Sequence, residues 1–167
     1  MVAMAGDSGT KIVMIAAGLL AGLYLTSDSS LNRPAPGFSL PQAYGGQVSL
    51  ESYRGHPVLL AFWTTSCGIC RRELPLLSHL LPEFQRKGVE ILAIHLGDGD
   101  EARDYMRENH INLKSASDVE GRVGQAYRVS GVPKLILIGG DGKIRHTRSG
   151  GLGESALRAW ADEAAIR

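Results

Sequence analysis

The sequence predicts an α/β protein, with a central mixed sheet flanked by helices and a β-hairpin ahead of it. Three observations carry that prediction. The run Val58–Trp63 (VLLAFW) is continuously apolar, as in a strand buried on both faces. A helix-period stripe comes next, and then a second apolar run, 89–96 (VEILAIHL). A third run, 133–138, is joined through Asp141-Gly142 to a return strand over 144–148, which makes part of the sheet antiparallel. Parallel strands separated by helices imply right-handed crossovers and a sheet covered on both faces.

The chain has 167 residues, enough for one domain plus an appendage. Its composition, 44% apolar and 21% charged, is that of a globular protein. The net charge of +1 gives no basic footprint for nucleic acid. There is no internal repeat and no low-complexity tract.

Residues 1–27 read as a signal-anchor or a signal peptide. The first ten are short and polar, and Lys11 precedes an uncharged stretch, 12–25 (IVMIAAGLLAGLYL). That stretch is short of the ~20 residues a spanning helix typically needs, though Thr26 and Ser27 extend it without charge. No Ala-x-Ala cleavage site follows, and no Cys for a lipid. Lys11 and the amino terminus favour an N-inside orientation. The expectation is a single-pass anchor in the cell inner membrane with the domain facing the periplasm. The alternative is a soluble periplasmic form after cleavage. Residues 28–36 read as a linker stiffened by Pro34 and Pro36.

The folded domain is expected over 37–167. Phe38-Ser39-Leu40 and Val48-Ser49-Leu50 flank a Gly45-Gly46 turn and predict the opening hairpin. After the first apolar strand, Cys70, Leu74, Leu77, Leu81 and Phe84 recur at offsets of 4, 3, 4 and 3, one helical stripe that Gly88 ends. Asp98 or Asp100 caps a helix running to about Asn109, and 118–127 reads as a shorter helical segment. Leu157, Trp160, Ala161 and Ala164 form the inner stripe of a last helix.

Cys67 and Cys70 are the only cysteines, and the pattern places them between a buried strand and a helix N-terminus. Free N–H groups and the positive end of the helix dipole favour a thiolate there. Cys67 comes first and is the expected exposed nucleophile. Cys70 lies on the buried stripe and is the expected resolving thiol. A closed zinc site wants four ligands, and the five histidines (56, 79, 95, 110 and 146) are scattered. A purely stabilising disulfide closing so short a loop removes little unfolded-state entropy. Dithiol chemistry is the reading that remains, and it needs no metal or organic cofactor.

At Phe62-Trp63, Cys67-Gly68-Ile69-Cys70, Arg71-Arg72-Glu73-Leu74-Pro75 and Gly131-Val132-Pro133 the chain resembles the thioredoxin superfamily. More narrowly it is similar to the membrane-tethered TlpA/ResA type, which includes the reductases of cytochrome c maturation. The resemblance runs from about Ala35 to the C-terminus and implies a thioredoxin-like fold. It implies a thiol:disulfide oxidoreductase acting as a reductase on disulfide-bearing proteins, with an upstream membrane thiol reductase as electron donor. It implies a cis Val132–Pro133 bond facing the dithiol, with the Val132 backbone pairing to an extended substrate segment. It makes Glu73 the carboxylate near the thiols, and Trp63, Ser66, Gly68 and Ile69 the site lining. Three departures stand out. Ser66 replaces the Trp usual before the first Cys, Gly68-Ile69 lacks the usual proline, and Lys134 follows Pro133 in place of Thr, where a basic residue biases substrate choice. Thr64 lies three residues before Cys67 as in peroxiredoxins, but Leu60 stands where their motif has Pro. The alternatives to a reductase are a disulfide-forming oxidase, or a copper-handling module using both thiols as soft ligands. His95, at a strand end, reads as a surface or loop-bonded side chain.

Overall fold

The structure is a computed structural model and describes residues 31–165. The segment read as a signal-anchor lies outside those residues. Among the described residues no helix is long and apolar enough to cross a membrane.

The hairpin pairs β1 (Ser39–Pro41) with β2 (Gln47–Ser49) in antiparallel register, with Leu40 opposite Val48. Gly45 and Gly46, at φ 92° and 84°, make the turn in a conformation side chains rarely adopt. A 3₁₀ turn, Leu50–Tyr53, leads into β3 (Val58–Trp63), where all six residues are buried. Then come α1 (Cys70–Arg86), β4 (Glu90–His95), α2 (Gly99–Glu108), β5 (Lys114–Ser117), α3 (Arg122–Ala126), β6 (Lys134–Ile138), β7 (Ile144–Ser149) and α4 (Glu154–Ala165). The main sheet has the order β5-β4-β3-β6-β7. Its β3–β4 and β4–β5 pairs are parallel, and β3–β6 and β6–β7 antiparallel.

Alternation along β3 builds both halves of the core. Leu59, Ala61 and Trp63 face the cluster that includes Leu74, Leu77, Phe84 and Leu157 from α1 and α4. Val58, Leu60 and Phe62 face the cluster that takes in the hairpin and Tyr127. Each fully buried Leu or Phe is worth ~1.5–3 kcal/mol relative to exposure. The Tyr127 hydroxyl donates to the Pro36 carbonyl at 2.7 Å.

Three sequence expectations are corrected. β5 was not foreseen. Its sequence, Lys-Ser-Ala-Ser, lacks an apolar run, and it is a strand because β4 and Gln42 offer it backbone partners. On α1 the buried stripe uses Leu80, not Leu81, because the face turned to the sheet also takes in Glu73. His95 is buried, at 1% exposure, rather than at the surface. Residues 31–36, the described part of the stretch read as linker, lie along β7. There Asn32 N–H donates to the Ile144 carbonyl at 2.7 Å and Ile144 N–H to the Arg33 carbonyl at 3.0 Å.

Candidate active site

The dithiol sits where β3 ends and α1 begins. Helix α1 starts at Cys70, and the residue before it, Ile69, has no capping side chain. The sulfur of Cys67 takes that place: Cys70 N–H donates to Cys67 Sγ at 3.1 Å. One of the free donors of the first turn is therefore aimed at the sulfur that would carry charge. Arg71 N–H donates to the Cys67 carbonyl at 3.1 Å and closes the turn. The two sulfurs are bonded to each other. Cys67 is half-buried and Cys70 is 1% exposed, so an incoming group meets Cys67 first.

Val132 and Pro133 lie beside the pair. The Val132–Pro133 bond is cis, and the Val132 carbonyl oxygen is 3.6 Å from Cys67 Sγ. Trp63 is fully buried beneath the site, with its ring against His95 at 4.7 Å and Tyr105 at 5.5 Å. Ser66 and Gly68 are exposed, and Ile69 is 43% exposed, so the residues around and between the cysteines form an open rim. Arg71 Nε donates to the Thr65 carbonyl at 3.1 Å, and Arg72 reaches the Gly68 carbonyl at 3.4 Å. Both guanidinium groups thus brace the site's own backbone.

Glu73 is not a solvated helix charge. It is 7% exposed, and its carboxylate accepts from Leu152 N–H at 3.0 Å. Burial raises its pKa, and the Leu152 bond offsets part of that rise. A Cβ on Gly151 would stand 2.8 Å from Glu73 Oε2 and 3.1 Å from Ile69 Cγ2, so this loop fits only with glycine there. Gly150 N–H donates to the Pro133 carbonyl at 2.8 Å. The β7–α4 loop therefore ties the Glu73 carboxylate to the Pro133 backbone. Gly151 and Leu152 were missed as site residues. The cluster Gly150-Gly151-Leu152-Gly153 between a strand and a helix was the available signal.

His95 was also missed as a neighbour of the site. It is buried against Trp63, and neither ring nitrogen has a hydrogen-bond partner. Burial holds its pKa below the ordinary value, opposed in part by the Glu101 carboxylate. Glu101 in turn accepts from the Thr65 hydroxyl, two residues before Cys67. Among the described residues no group of three or more His, Cys, Asp or Glu side chains is placed to hold a metal.

A buried strand, a vicinal cysteine pair at a helix start and a cis-proline beside it define a thioredoxin-like dithiol–disulfide protein. The AhpC/TSA family model matches residues 31–147. Thiol-disulfide oxidoreductase ResA of Bacillus subtilis is 32% identical over 124 residues, covering 74% of this chain and 69% of that protein. The ResA protein of Geobacillus thermodenitrificans is 34% identical over 117 residues, covering 70% and 67%. Among solved structures, a Chlorobium tepidum protein assigned as the thiol:disulfide interchange protein DsbE superimposes with a TM-score of 0.75. It is 28% identical and covers 81% of this chain and 97% of that one. The chain belongs to the AhpC/TSA family, in its ResA-type branch of thiol-disulfide oxidoreductases.

Proposed function

We propose that this oxidoreductase is a reductase that faces the periplasm, tethered through residues 12–25 and re-reduced by a membrane thiol donor. The Cys67 thiolate attacks one sulfur of a substrate disulfide. A Cys67–substrate disulfide forms, and the other substrate sulfur leaves as a thiolate that takes up a proton. Cys70, deprotonated, then attacks Cys67 Sγ. The Cys67–Cys70 bond forms, and the second substrate thiolate is released, so two electrons pass from the pair to the substrate. Val132 and Pro133 hold the substrate segment, Glu73 tunes thiol protonation, and Trp63, Ser66, Gly68 and Ile69 shape the approach. Substrates are disulfide-bearing proteins, such as those of cytochrome c maturation or copper-site assembly.

The observation that carries these roles is the Cys70 N–H bond to Cys67 Sγ at 3.1 Å. It stabilises an anion on the accessible sulfur, while burial disfavours one on Cys70. The direction is tested by the reduction potential. A reductase lies nearer the roughly −270 mV of thioredoxin than the approximately −120 mV of a strong oxidant, and its pair is mostly reduced in cells. A value near the oxidant's, with the pair disulfide-bonded at steady state, reverses the direction and makes the protein an oxidase. Tight Cu(I) uptake without turnover makes it a copper module. Fractionation tests the tether: the full-length chain is expected in membranes, and a processed soluble form would remove the anchor.

A further inference from the structure

A cleft of about 170 Å³ opens beside the cis-proline, on the sheet face opposite α1. Arg33, Arg128 and Lys134 line it, over apolar walls that include Tyr127, Ile136 and Ile144. The three cations come from three places: the entering segment, the turn after α3, and the first residue of β6. None of the ten lining residues is acidic. Among the described residues none of the three makes an ion pair, whereas Arg54, Arg103, Arg122, Arg145 and Arg158 each pair with a carboxylate. Lys134 Nζ reaches a hydroxyl, Ser149 Oγ, at 3.3 Å. Three like charges converging without a counter-ion repel one another, and an anion entering the cleft relieves that.

Its position gives the cleft a role. Lys134 follows Pro133 directly, and Val132 lies against Cys67. Residues 134 and 136 share a face of β6, so the cleft starts at the substrate-holding segment and runs down the strand. A substrate segment extended along Val132 advances ~3.3 Å per residue. A side chain two or three residues from the reacting cysteine of such a segment would therefore stand on the order of 7–10 Å from it, in the direction of the cleft that begins at Lys134.

We propose that this cleft binds an acidic side chain of the substrate protein, two or three residues from the disulfide being reduced. The proposal deepens the reductase reading and rests on the docking role given there to Val132 and Pro133. The occupant is a Glu or Asp on an extended segment, because the cationic groups meet apolar walls that fit a carboxylate with a short aliphatic stem. A lipid headgroup is an outcome of the test.

The test uses the full-length, pre-reduced protein in single turnover, followed by tryptophan fluorescence. Two disulfide-bridged peptides differ only in Glu or Gln at the second and third positions from each Cys. The Glu peptide is expected to react about five- to tenfold faster at low ionic strength, with the ratio shrinking in 0.5 M salt as screening sets in. In Arg33→Gln/Arg128→Gln the ratio falls towards one. In Arg54→Gln/Arg107→Gln, which removes the same charge from arginines already paired with Glu51 and Asp104, it is retained. Equal rates for the two peptides, or a ratio lost equally in both double variants, overturn the cleft and leave the reductase standing. If neither peptide is reduced, the reductase reading falls. Binding of the same peptides with Ser for Cys, read by amide shifts at Arg128 and Lys134, then decides the cleft by itself: shifts for Glu but not Gln support it, and no difference overturns it. Loss of binding to phosphatidylglycerol vesicles in Arg33→Gln/Arg128→Gln, with the peptide ratio unmoved, also overturns it in favour of a headgroup site.

Discussion

The carboxylate of Glu73 accepts a hydrogen bond from the backbone N–H of Leu152 at 3.0 Å, joining the first turn of the dithiol helix to a loop 79 residues later. That loop also holds the Pro133 carbonyl through Gly150 N–H. One buried acid on the dithiol helix is thereby tied to the loop that holds the cis-proline.

Burial raises the Glu73 pKa, so in the folded state its proton is held longer than in the unfolded chain. The native state then binds more protons above the unfolded carboxyl value, and stability falls as pH rises through the folded value. Glu73→Gln removes that loss. It is expected to be at least as stable as the parent at pH 8 and to show no gain at pH 4, measured by urea unfolding. The ionised carboxylate also opposes a nearby thiolate, so the variant's Cys67 should alkylate faster at pH 7–8. Slower alkylation would assign Glu73 a proton-transfer role instead.

Gly151→Ala puts a methyl 2.8 Å from Glu73 Oε2 and 3.1 Å from Ile69 Cγ2. Overpacking of this kind costs about 1–3 kcal/mol. The expected readouts are a lowered urea midpoint and an altered pH profile of thiol reactivity, because the Leu152 bond to Glu73 is displaced. An unchanged midpoint would mean that the loop moves aside freely.

For the reduced protein, iodoacetamide at pH 7 is expected to modify Cys67 well before Cys70, as read by peptide mass spectrometry. Cys67 Sγ is accessible and accepts the Cys70 N–H, whereas Cys70 is 1% exposed. Cys70→Ser should accumulate mixed disulfides with substrate proteins, and Cys67→Ser should not. Equal labelling of both thiols would undo the assignment of roles.

His95 is expected to make the fold acid-sensitive. Its folded pKa is depressed by burial, so the unfolded state takes up the proton first. Stability is complete above the unfolded value, about 6.5, and is lost as pH falls below it towards the folded value. His95→Phe keeps a ring against Trp63 and removes the titration. Its unfolding free energy should be flatter than the parent's between pH 7 and 5, and parallel curves would refute the assignment.

Much of the architecture was legible because it depends on local patterns. Apolar runs such as Val58–Trp63 and 133–138 announce buried strands wherever they occur, and a Gly-Gly or Asp-Gly pair announces its turn by backbone freedom alone. The order of elements, β5 excepted, and the two cysteines at a helix start followed from these patterns. So did the inner faces of α1 and α4, apart from the exchange of Leu81 for Leu80.

The rest was decided by contacts between distant parts of the chain. Lys114–Ser117 is a strand only because β4 lies beside it, since Lys-Ser-Ala-Ser carries no strand pattern of its own. His95 looked like a strand-end polar residue until Trp63 packed against it, because burial depends on neighbours and not on residue type. Glu73 sat on a helix face the sequence located, but its partner, the Leu152 backbone, has no side-chain signature to read. The sequence by itself determined the dithiol and the strands that carry it, through periodicity and spacing. Only the tertiary structure decided which groups lie beside the dithiol, because backbone groups such as the Val132 carbonyl and the Leu152 N–H meet their partners only when separate segments fold together.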